Sequence, residues 1–138
     1  MKSSLNPYLS FRDSAREAME FYQTAFGGKL DIQTFKDFQA SQDPGEDNKI
    51  MHAMLTTDNG IVFMASDTPN GMEYRQGTNM SMSLSGDNEP ELKGYYEKLS
   101  ASGTIGMPLE KAPWGDMFGM FTDKFGVAWM VNITGQKE

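Results

Sequence analysis

The sequence predicts an α+β protein built from two copies of one strand–helix–three-strand module. The first observation behind this is a repeat. Phe118-Gly-Met-Phe-Thr-Asp-Lys-Phe-Gly-Val-Ala-Trp-Met130 reads as an apolar strand, a turn and a second apolar strand. A near copy, His52-Ala-Met-Leu-Thr-Thr-Asp-Asn-Gly-Ile-Val-Phe-Met64, lies 66 positions earlier. The copies share Met54/Met120, Thr56/Thr122, Gly60/Gly126 and Met64/Met130, and match Leu55 to Phe121 and Phe63 to Trp129. A repeat of this length in 138 residues points to a duplicated module. The second observation is a pair of amphipathic helix patterns 74 positions apart, each preceded by a strand pattern.

Taken in order, Pro7 to Phe11 predicts a strand. Ser14-Ala-Arg-Glu17 has the form of a capping box, with Glu17 in a structural role. Ala15, Ala18, Met19, Tyr22, Ala25 and Phe26 then form one helical face, which Gly27-Gly28 ends. Leu30 to Phe35 is a strand, and the polar residues 36–49 read as a mobile loop with solvated acids at 43–47. Ile50–Thr56 and Ile61–Ser66 make the first hairpin, and the turn-rich stretch from Asp67 to Asn79 leads to the second half. There, Met80–Ser85 is a strand, and Asn88, Pro90 and Glu91 mark a helix start. Leu92, Tyr95, Tyr96 and Leu99 are that helix's packing face, and Gly103 ends it. Ile105–Leu109 is a weaker strand, Ala112–Asp116 a loop, and the second hairpin completes the module.

One such module cannot bury both its helix and its sheet. The expected arrangement is a single domain, 1–138, of two modules, about 1–70 and 78–138, pairing into a curved sheet cup with helices on the outer faces. Alternation sends Ile61, Phe63 and Ala65, with Val127, Trp129 and Val131, towards the helices. It sends Val62, Met64 and Ser66, with Ala128, Met130 and Asn132, towards the cleft.

Composition narrows the function classes. There are 19 acidic and 12 basic residues, a net charge of −7, which argues against nucleic acid. The absence of cysteine removes disulfides and thiolate chemistry and fits the cytoplasm. No apolar run approaches the ~18 residues of a membrane span, and Met1-Lys2-Ser3-Ser4 is too short and polar for targeting.

The order of elements resembles the vicinal oxygen chelate superfamily, which includes glyoxalase I, bleomycin-resistance proteins and extradiol dioxygenases, and within it the PhnB-like group. The resemblance rests on Pro7-Tyr-Leu-Ser-Phe11, on Ala18-Met-Glu-Phe-Tyr22 through Phe26-Gly27, and on Met51-His-Ala53 with Phe63-Met-Ala-Ser-Asp67. It also rests on Trp114-Gly115, Thr122-Asp-Lys-Phe-Gly126 and Trp129-Met130. It implies a homodimer, and metal ligands on the first and last strands of each module. Those positions hold Tyr8 or Ser10, Met64, Asn79 or Ser81, and Met130. A thioether is a poor ligand for a hard or borderline divalent ion. With one histidine in the chain, a triad of two His and a carboxylate is impossible. The expectation is therefore no catalytic metal and no cofactor.

The expected ligand site is lined by Tyr8, Ser10, His52, Met64, Ser81, Trp114, Phe118 and Met130, with segment 36–49 able to cover it. The expected partner is a small apolar or aromatic molecule. His52 is the one catalytic candidate, and its face depends on turn register. A two-residue turn at Asp58-Asn59 pairs Met54 with Phe63 and sends His52 towards the helix. A three-residue turn with Gly60 in a bulge puts His52 beside Met64. Trp114 is either a loop anchor or a stacking wall for a flat ligand, while Trp129 reads as core. Three functions stay open: a metal-free small-molecule binder, a lyase or isomerase using a metal or His52, and an antibiotic-sequestering protein. A transferred ubiquinone-pathway methyltransferase label, common in the PhnB-like group, is disfavoured because no glycine-rich strand-to-helix turn is present.

Overall fold

The computed structural model describes residues 3–39, 41 and 44–135. The chain divides into two compact units, Met1–Arg75 and Gln76–Glu138. In the first, β1 (Tyr8–Phe11), α1 (Ala15–Phe26), β2 (Lys29–Thr34), β3 (Ile50–Thr56) and β4 (Val62–Asp67) follow one another. In the second, β5 (Met82–Gly86), α2 (Glu89–Ser100), β6 (Thr104–Lys111), β7 (Met117–Thr122) and β8 (Ala128–Ile133) repeat that order. The sheets run β1-β4-β3-β2 and β5-β8-β7-β6, so the repeated hairpins occupy equivalent places. In each, the first strand is parallel to the last and the other pairings are antiparallel. This is an α+β fold of two βαβββ modules.

Each helix covers one face of its own sheet. Ala15, Ala18, Met19, Tyr22, Ala25 and Phe26 are the buried residues of α1, the face that helical spacing selects. Ala53, Leu55, Phe63 and Ala65 are buried beneath them, with the Phe63 ring 5.5 Å from Tyr22 and 5.9 Å from Phe26. In the second unit, Leu92, Tyr95, Tyr96 and Leu99 of α2 are buried with Phe121, Trp129 and Val131. Tyr96 meets Phe121 edge-on at 5.2 Å, and Phe121 lies parallel to Trp129 at 6.3 Å. The buried Trp129 indole N–H donates to Asp123 Oδ2 at 2.8 Å, so its polar edge is satisfied inside the core.

Several local expectations change. No capping box forms, because the Ser14 side chain makes no cap hydrogen bond. Instead the buried Asp67 carboxylate, at the end of β4, accepts from Ala15 N at 3.0 Å and from Ile50 N at 2.9 Å. Asn88 does cap α2, accepting from Glu91 N at 3.2 Å. Gly103 does not end α2 as Gly27 ends α1. The α2 C-cap is Ala101 in a right-handed conformation, and a Cβ on Gly103 would run into the Thr122 carbonyl. Gly28 meets Thr56 in the same way, so both glycines admit a close strand rather than only stopping a helix.

Segment 36–49 is not a plain solvated loop. Phe35 N and Lys36 N donate to Lys49 O and Asp47 O, carrying the β2–β3 pairing onward. Pro44–Glu46 form a short 3-10 turn in which Glu46 is buried, its carboxylate accepting from Asn70 N at 3.4 Å. Ala40, Gln42 and Asp43 of this segment lie outside the described residues, as do Met1 and Lys2 at the N-terminus. β5 begins at Met82 rather than Met80, which is left 83% exposed. β6 is longer than expected and carries two register irregularities against β7. Among the described residues, no helix is long and apolar enough to cross a membrane.

Candidate functional site

The β3–β4 turn decides where His52 points. Gly60 N donates to Thr57 O at 3.1 Å, Thr57 N donates to Ile61 O at 2.9 Å, and Gly60 has φ 91°. This is the three-residue turn with a glycine bulge, since a positive φ is cheap only for glycine. The strands then pair Met54 with Met64 and Thr56 with Val62. Ala53 and Leu55 are buried under α1, so Met54, Met64 and His52 take the other face of the sheet. Tyr8 pairs with Met64, Ser10 with Ser66, and Gln33 with His52. The Tyr8 and His52 rings lie 6.0 Å apart, tilted by 45°. The first unit therefore brings Tyr8, Ser10, His52 and Met64 onto one half-exposed face, together with Met54, Gln33 and Ser66.

The second unit repeats the construction. Asp123 N donates to Val127 O and Gly126 N to Asp123 O, with Gly126 at φ 87°, and Met120 pairs with Met130. Met107 pairs with Met120, Ser83 with Met130, and Phe118 with Asn132. Ser81 lies just ahead of β5, and Ser83 holds the place opposite Met130 that Tyr8 holds opposite Met64. The difference follows from the late start of β5.

Trp114 occupies the β6–β7 turn, 61% exposed, with its ring edge-on to Phe118 at 5.6 Å. The turn closes through Ala112 N donating to Asp116 O at 2.6 Å. The Asp116 carboxylate accepts from Asn132 Nδ2 at 3.0 Å and from Gly135 N at 2.9 Å. These donors, Asn132 foremost and then Gly135, with the Trp114 side chain adding a further hydrogen bond, hold the Asp116 carboxyl below the usual carboxylate range. Trp114 is thus an exposed aromatic fixed by its neighbours. Sequence reasoning missed Asp116 and Asn132 as its supports because they act across 16 residues. It also passed over Met54 and Met120 as site residues, although their identity in the repeat was the available signal.

The donor chemistry does not suit a hard or borderline divalent metal. The first- and last-strand positions present Tyr8, Ser10, Ser83, Met64 and Met130, which are hydroxyls and thioethers. Among the described residues, no three His, Cys, Asp or Glu side chains converge. A separate polar groove of ≈ 490 Å³ lies at the start of α1, lined in part by Asp13, Arg16, Glu17 and Asn48. Its Lys49 is already engaged, with Nζ 2.7 Å from Asp13 and 2.9 Å from Asn70.

Comparison with known proteins agrees with this architecture. The model of the glyoxalase/bleomycin resistance protein/dioxygenase superfamily matches residues 4–131. Protein YjdN of Escherichia coli K12 is 31% identical, over 96% of this chain and 97% of its own. The crystal structure of PA1353 from Pseudomonas aeruginosa is similar at TM-score 0.82 and 37% identity, covering 98% of this chain and 100% of that one. A PhnB protein from Bacillus cereus, carrying a provisional 3-demethylubiquinone-9 3-methyltransferase description, is similar at TM-score 0.76 and 29% identity, covering 96% and 100%. With its repeated βαβββ order and a match over nearly its whole length, this chain belongs to the glyoxalase/bleomycin resistance protein/dioxygenase superfamily.

Proposed function

We propose that this chain is a PhnB-like protein that binds a small apolar or aromatic molecule without a resident catalytic divalent metal. The observation that carries the reading is the matched pair of methionines, Met64 and Met130, at the last-strand positions where metal-using relatives are expected to place ligands. Thioethers with three rotatable bonds make an apolar surface that adapts to a ligand's shape. Within the first unit Tyr8, Ser10 and His52 add orienting groups on the Met64 face, and within the second Trp114 and Phe118 add ring faces. A cytoplasmic homodimer goes with the family resemblance. Methyl transfer of the kind named for the Bacillus relative does not fit this chain. The strand-to-helix turns here are Arg12-Asp13-Ser14 and Asp87-Asn88, neither of which is the glycine-rich cradle a nucleotide-like cofactor uses.

Burying one ring face against Trp114 contributes about 1–3 kcal/mol, at roughly 25 cal/mol per Å² of apolar area. Trp114→Ala should therefore weaken binding about tenfold or more, while the circular dichroism spectrum stays unchanged. A panel of flat apolar and cationic aromatic compounds, followed by fluorescence or calorimetry, is the test. Unchanged affinity in Trp114→Ala, with ligand contacts mapping to the outer faces of α1 and α2, would rule the site out.

A second reading has its own support. His52 lies on the Met54/Met64 face beside Tyr8 rather than under α1, which is where a general base would need to be. A His-assisted lyase or isomerase is then expected to lose turnover in His52→Ala with ligand affinity largely kept.

A further inference from the structure

The same thioethers that reject a hard divalent ion are good ligands for a soft one. Three soft or borderline donors sit together on the open face of the first sheet. Met64 N donates to Pro7 O on the β1 side, so Met54 and Met64 form a non-hydrogen-bonded antiparallel pair. Such pairs are the close ones, with Cα atoms about 4.5 Å apart. His52 is two residues from Met54 along β3, on the same face and about 6.7 Å away. The three Cα atoms outline a small triangle whose centre is about 4 Å from each, within reach of an imidazole and two unbranched thioethers.

A neighbouring ring face favours a cation. The Tyr8 ring is 6.0 Å from the His52 ring and stands beside Met64 in the sheet register, giving the triangle an aromatic wall. Asp31, the β2 partner of Met54, stands at the other end of that row, its carboxylate paired with Lys29 Nζ at 3.8 Å. All three donors are half-buried, accessible from solvent yet held by the sheet. The second unit lacks the imidazole, because Phe118 stands where His52 does in the repeat.

We propose that His52, Met54 and Met64 form a site for a soft monovalent cation of the Cu(I)/Ag(I) class. The proposal goes beyond the organic-ligand reading and stands without it, since the cation needs only this one face of the first sheet.

Silver(I) nitrate is the redox-inert probe, added to the full chain in chloride-free buffer. The chain carries labelled methionine methyls and is observed by NMR alongside its single histidine ring. The expected result is saturation at one equivalent, with the Met54 and Met64 methyls and the His52 ring shifting together. Zinc at the same concentration should leave those resonances in place. Met54→Leu with Met64→Leu, and separately His52→Ala, should each weaken Ag(I) binding tenfold or more. Unshifted Met107, Met120 and Met130 methyls in the ion-free variants would report an intact fold. The proposal is overturned if the shifts gather at Met107, Met120 and Met130 with His52 silent, or if neither variant changes the affinity.

Discussion

Asp67, not Ser14, supplies the side-chain acceptor at the start of α1. Its carboxylate takes one hydrogen bond from the first turn of α1 and one from the start of β3, and it is buried. Removing a buried acceptor leaves its donors desolvated and unpaired, a cost of about 1–3 kcal/mol for each. Asp67→Ala should therefore lower the unfolding free energy by about 2–6 kcal/mol, whereas Ser14→Ala should change it by less than about 0.5 kcal/mol. Denaturant unfolding of the two variants measures this, and the opposite ranking would restore the capping box. The sequence hid this contact because Asp67 and Ala15 are 52 residues apart. A capping motif is a local signal, and a carboxylate delivered by another strand outcompetes it.

At the scale of elements, what was legible followed apolar periodicity. The α1 face was readable residue by residue, since each buried position repeats at helical spacing. Both hairpins were readable too, but the face of His52 was not. A glycine after Asp58-Asn59 serves a two-residue or a three-residue turn, and the two place every side chain on opposite faces. The start of β5 was misjudged by two residues because Met80 and Ser81 continue an alternating pattern that the strand does not use.

The Trp114 turn makes a prediction at this scale. Asp116 has a folded pKa below its unfolded value, so its contribution is fully present above the unfolded pKa of about 4. That contribution is lost as pH falls through the lower folded value. The Trp114 indole resonance should hold its position from neutral pH to about 4 and move below it. In Asp116→Asn this acid transition should vanish, while the resonance of the buried Trp129 is unaffected. A Trp114 resonance with the same acid transition in both proteins would detach the turn from Asp116.

For the whole molecule, the repeat was the most informative feature of the sequence. It gave two modules before any residue was placed, and equal strand orders with matched Met54/Met64 and Met120/Met130 pairs bear that out. The ligand was not legible, because thioethers, hydroxyls and rings specify an apolar surface and few orienting groups rather than one molecule. Native mass spectrometry with elemental analysis, on protein purified without chelator or added ligand, is the most direct test of this surface. The expected result is a chain free of stoichiometric zinc, nickel, iron or manganese that takes up small aromatic compounds, less readily in Trp114→Ala. Near one equivalent of such a metal per chain, lost on replacing Met64 or Met130, would contradict it.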